Sequence, residues 1–107
     1  MTKFVFRKAG EARTVAWPCK ATLPIDGGKI EEQTILATFR LVEPSRMAEV
    51  LKPGNLMGQN GDVLQLRECL VSVEGADDLA DVFADPIAVS ALARGYWDMI
   101  AGRLAKN

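Results

Sequence analysis

Through the first forty positions, apolar and polar residues alternate; after that the period changes. Lys3–Arg7 sets Phe4 and Phe6 on one face, which predicts a short first strand with both rings on the core side. Lys8–Ala12 is polar and reads as a turn. From Arg13 to Leu23 the odd positions are Val15, Trp17, Cys19, Ala21 and Leu23, an apolar set of period two that predicts a strand. Pro18 falls inside it. A proline has no N–H for the ladder, so this strand belongs at a sheet edge or carries a bulge. Pro24-Ile25-Asp26-Gly27-Gly28 is a hairpin turn signal. The chain returns over Lys29–Leu41 with Ile35, Ala37, Phe39 and Leu41 on one face. Glu32, Thr34, Thr38 and Arg40 share the other with Leu36. The product is a two- or three-stranded antiparallel sheet with one apolar face, which needs a layer packed on it.

The second half carries the helical period. Ser45 is a candidate N-cap, Met47, Val50 and Leu51 follow at helical spacing, and Pro53-Gly54 stops the helix. Lys52–Gly61 reads as a loop, yet it holds Leu56 and Met57. Asp62 is placed to cap a second helix reaching Val73. Its main stripe is Val63, Leu66, Cys69, Leu70 and Val73, and Leu64 and Val71 form a second stripe. Asp77–Ala84 predicts a short third helix. Asp85 as N-cap and Pro86 at the first helical position open a last helix toward Leu104. Its apolar face is Val89, Leu92, Ala93, Tyr96 and Ile100, with Trp97 at the edge. The expectation is one α+β domain over residues 1–107. An N-terminal hairpin or three-stranded antiparallel sheet (1–42) packs against a C-terminal bundle of three to four helices (43–107).

Composition narrows the chemistry. The chain has 107 residues, 49% hydrophobic and 25% charged, with a formal net charge of −1. These are globular averages and exclude a disordered chain. Near charge balance argues against a partner held mainly by phosphate neutralisation. Histidine is absent, which removes the commonest general base and transition-metal ligand. Cys19 and Cys69 form no CxxC and read as small buried apolar residues. The sequence has no GxSxG, P-loop or GxGxxG motif. Glu31-Glu32, Asp77-Asp78 and Asp81–Asp85 suit a hairpin and helix starts, and EF-hand spacing is missing. No catalytic residue, metal or cofactor is expected. No apolar run approaches the ~20 residues of a membrane span, and the charged N-terminus has no signal-peptide core. The expected compartment is the cytoplasm. Phe4, Phe6 and Trp17 beside Lys3, Arg7, Lys8 and Arg13 admit a stacking platform for single-stranded nucleic acid. A small domain has few other large residues for its core, which favours the core reading.

Protein binding is what remains. Leu56, Met57, Leu64, Val71 and Trp97 are apolar residues that a monomer need not cover, and they are the candidate partner contacts. For Leu64 and Val71 a place between two layers is equally open.

Three segments carry a resemblance. GGKIEEQTILATFRLVEPSRMAEVL matches a glycine turn, a strand ending in Phe-Arg and a helix starting at Ser. LRECLVSVEGADDLADVF matches a helix followed by Gly and an acidic loop. DPIAVSALARGYWDMIAG matches a closing helix from Pro through Ala-Leu to an aromatic pair. Over about Val15–Gly102 the chain resembles the small tail assembly chaperones of long-tailed bacteriophages and prophages. The resemblance implies a non-enzymatic chaperone in the bacterial host cytoplasm, absent from the mature virion. Its implied partner is the tape measure protein, whose hydrophobic segments it shields until the tail tube polymerises; tail tube protein is a second implied partner. Self-association through an unpaired edge strand stays open, and no nucleic acid or membrane partner is implied. The alternatives are a structural tail or head–tail connector protein retained in the virion, and a single-strand nucleic-acid-binding module.

Overall fold

A computed structural model describes residues 3–102. Strands β1 (Thr14–Ile25) and β2 (Lys29–Arg40) form a long hairpin. Helices α1 (Pro44–Val50), α2 (Pro53–Leu56) and α3 (Gly61–Cys69) follow, then strand β3 (Leu70–Val73), α4 (Leu79–Phe83) and α5 (Pro86–Ile100). The architecture is α+β, an antiparallel sheet of order β1-β2-β3 with helices on its apolar face.

The hairpin keeps its register without a break from Thr14 opposite Arg40 to Ile25 opposite Lys29. Pro18 therefore sits in an edge strand and makes no bulge, since among the described residues β1 pairs only with β2. Gly27 and Gly28 both take positive φ in the turn, a conformation that a Cβ disfavours. Burial follows the alternation. Cys19, Ala21, Ala37 and Phe39 are buried, with Val15, Trp17 and Ile35 packed partly against them. Residues 24–34 are exposed on both strands, so the hairpin tip extends past the helices.

Three sequence expectations are corrected. Lys3–Arg7 is not a strand, and Phe4 and Phe6 are exposed rather than core. The third place in the sheet belongs to β3, on the opposite side of β2. The N-terminal arm instead curls back on Arg13, which donates to the Val5 carbonyl and lies 4.6 Å over the Phe4 ring. The second helix stops at Cys69, four residues short. Leu70–Val73 pairs with β2 as Ala37–Val73, Thr38–Ser72 and Phe39–Leu70. Apolar residues at 66, 69, 70 and 73 suit a helical stripe, but the hydrogen-bonding edge of β2 recruits the valine-rich end as a strand. A register shift between Thr38 and Phe39 leaves Val71 as the extra residue of a bulge. Finally, the last helix ends at Ile100, and Ile100 is half-exposed while Met99 is buried. Leu104 lies outside the described residues.

The caps divide similarly. Asp85 accepts from the Ile87 and Ala88 amides at 2.9 and 3.3 Å, with Pro86 at the first helical position, as the sequence indicates. For α1 the cap position is Glu43 rather than Ser45, and its carboxylate accepts from the Gly10 amide at 2.9 Å. For α3 the cap is Asn60, which accepts from the Asp62 amide. The expected loop 52–61 holds the four-residue α2.

Helix α5 is the main cover of the sheet and rests chiefly on β1. Val89, Leu92, Ala93, Tyr96 and Met99 point into the core, where Phe39, Leu66 and Cys69 meet them. The approach is closest at Gly95. A Cβ there would lie 2.3 Å from the Cys19 sulfur and 2.9 Å from its Cβ. Gly95→Ala should therefore destabilise the protein by about 1–3 kcal/mol through overpacking, despite a helix-propensity gain of about 1 kcal/mol. Denaturant titration checks this; an unchanged or higher midpoint would contradict the close helix–strand contact.

Candidate partner-binding site

The site grows from the residue next to Gly95. The Tyr96 ring is buried edge-on to Phe39, with centroids 5.6 Å apart. Its hydroxyl accepts from the Val42 amide at 3.0 Å. That bond fixes the linker leaving β2 and so the position of α1. One residue on, about 100° around the helix, Trp97 clears the core and lies at its rim. Its indole N–H donates to Gln65 Oε1 at 3.0 Å, and buried Gln65 donates through Nε2 to the Ala93 carbonyl at 3.1 Å. Tyr96 and Trp97 stack edge to face at 5.3 Å. The indole is thus held in one orientation while 45% of the residue stays exposed.

Between Trp97 and α1 runs a groove of about 480 Å³. Leu41 and Val42 form its lip, Pro44, Met47, Ala48 and Leu51 one wall, and Tyr96, Trp97 and Ile100 the other. Every lining side chain is apolar or aromatic, and its size is that of a pocket for a small ligand or a few side chains.

The structure does not unite the five residues singled out from sequence. Trp97 alone of the five lines the groove. Met57 is exposed after α2, and Leu56 is half-buried against Gly61. Leu64 is half-buried in a separate depression bordered by Arg46, Glu49, Arg67 and Glu68. Val71 is exposed at the β3 bulge. Sequence reasoning did not assign Leu41, Val42, Pro44, Met47, Ala48, Leu51, Tyr96 and Ile100 to a site. The available signal was the spacing: Trp97 with Ile100, and Met47 with Leu51, are same-face pairs at i,i+3 and i,i+4. The aromatic platform also separates, because Phe4 and Phe6 lie on the arm while Trp17 packs on the core.

The titratable groups inside the fold are kept neutral. Burial pushes the Cys19 thiol from the ordinary 9.0 up to about 12, with Asp98 adding to the effect. Burial likewise pushes Cys69 up to about 12 and raises Tyr96. Thiols this weakly acidic are poor nucleophiles. Among the described residues no group of three or more His, Cys, Asp or Glu could hold a metal ion, and no helix is long and apolar enough to cross a membrane.

Two outcomes follow. Between about pH 9 and 12 the folded state keeps thiol protons that the unfolded chain releases, so this contribution is whole below pH 9 and is lost as pH rises through that window. The fall in thermal midpoint over that range should be shallower in a Cys19→Ala/Cys69→Ala variant; an equal slope would show that the thiols are not the cause. Tyr96→Phe leaves the half-buried Val42 amide without its acceptor and should cost about 1–3 kcal/mol. A loss under about 0.5 kcal/mol, the size of an ordinary surface change, would mean that the bond does not secure the linker.

No family model, curated protein or solved structure matches the chain.

Proposed function

We propose that the protein is a non-enzymatic binding protein that shelters an apolar segment of another chain. The tail assembly chaperones that it resembles supply the specific form of the reading, with the tape measure protein as client in the host cytoplasm. One observation carries it: a groove lined by apolar and aromatic side chains, with a pre-oriented, half-exposed tryptophan on its rim. Such a groove suits one face of an amphipathic helix, whose side chains at i, i+3 and i+4 enter as anchors. Aromatic rings held rigid before binding lose little entropy on contact and dominate small interfaces. A contact of this extent falls below the area of permanent complexes. That suits a client that must be surrendered when a tube assembles around it.

The test is co-expression with the tape measure protein and recovery of the complex. Trp97→Ala should lower recovery at least about tenfold, as loss of a central aromatic anchor does. Ile100→Asp, at an exposed position on the same rim, should do so without change in the circular dichroism spectrum or thermal midpoint. Full recovery with a folded Ile100→Asp variant would remove the groove from the reading. Stable presence of the protein in purified particles would sink the chaperone role itself.

A further inference from the structure

The groove is not the only uncovered apolar feature. Phe4, Val5 and Phe6 are 68%, 73% and 85% exposed, on an arm outside the sheet. Their own chain offers them little beyond a ring-on-ring contact at 4.9 Å and the Arg13 guanidinium. The arm and the groove share a border. The Leu41 amide donates to the Arg13 carbonyl at 2.8 Å, and the Gly10 amide donates to Glu43, so the root of the arm is tied beside the groove's lip. From that root the chain doubles back: the Glu11 amide donates to the Lys8 carbonyl, and Arg13 holds the Val5 carbonyl. This fold-back keeps the three side chains out of the groove of their own chain.

We propose that the arm of one copy fills the groove of a second, with Phe4, Val5 and Phe6 docked against Trp97, Ile100 and Leu51. The exchange is reciprocal, as a two-fold dimer requires, because each chain carries both halves of the contact. Area supports it. With aromatic side chains of 150–250 Å² each, one arm exposes on the order of 400 Å² of apolar surface, and closing two arms onto two grooves removes on the order of 1,500 Å² in all. That lies within the range of a stable interface. The dimer itself is independent of any client. Its regulatory sense, a groove kept covered until a client displaces the arm, rests on the function proposed above.

The experiment is sedimentation equilibrium of the full chain across a range of concentrations. A monomer–dimer equilibrium is expected. Phe4→Ser/Phe6→Ser and, separately, Ile100→Asp should each raise the dissociation constant at least tenfold with an unchanged circular dichroism spectrum. Mixed together, the two variants should recover part of the dimer, because one retains its groove and the other its arm. A wild-type chain that stays monomeric throughout, including by folding its arm onto its own groove, overturns the proposal. So does a dimer that survives the arm substitutions, which lie outside the core and leave the test readable even if Ile100→Asp were to unfold. Arm-dependent dimerisation without client binding would leave this inference standing and remove the function proposed above; client capture by a strict monomer would do the reverse.

Discussion

Helix α5 and strand β1 approach so closely at Gly95 and Cys19 that only hydrogen fits in place of a side chain. The rest of the molecule is arranged around that contact. A small sheet with one apolar face is unstable by itself, and α5 is the element that covers it. The close approach lets Leu92 and Tyr96, on the turns around Gly95, reach the core residues Phe39 and Leu66. Close-packed interiors gain their dispersion energy from such interdigitation, and lose it where a gap opens.

From this seat the groove is shaped by polar bonds at the margin of the core. Tyr96 carries its hydroxyl to the Val42 amide, and Trp97 carries its indole N–H to Gln65. Both are rings with an apolar body and one polar atom, and both use that atom to set geometry rather than chemistry. The first bond fixes where α1 begins, and the second fixes how the tryptophan faces the groove. The buried thiols and the phenol are held neutral by burial, as groups packed in a core are. A surface made this way offers shape and apolar area, the two properties that the proposed holder of another chain needs. The same properties underlie the proposed docking of the aromatic arm from a second copy.

Much of this was legible in the residues themselves. The period-two alternation of Val15, Trp17, Cys19 and Ala21 and of Ile35, Ala37 and Phe39 specified the hairpin and its inner face, and Pro18 marked the edge strand. Asp85-Pro86 marked the start of α5, and Val89, Leu92, Ala93 and Tyr96 marked its buried face. These are local signals, because strand alternation, turn conformation and helix capping depend on a few neighbours. Trp97 was identified from its edge position, but its companions in the groove were not, since Leu41, Leu51 and Ile100 belong to three segments that only folding brings together.

Tertiary structure decided the remainder. Whether Leu70–Val73 continued a helix or became a strand depended on the free edge of β2, about thirty residues away in sequence. Whether Phe4 and Phe6 were core or surface depended on α5 and β3 having already taken the places beside the sheet. Pattern alone determined which residues are apolar and with what period. Which of them ended in water was settled by competition for a core too small to hold them all, and that competition is a property of the whole chain rather than of any segment of it.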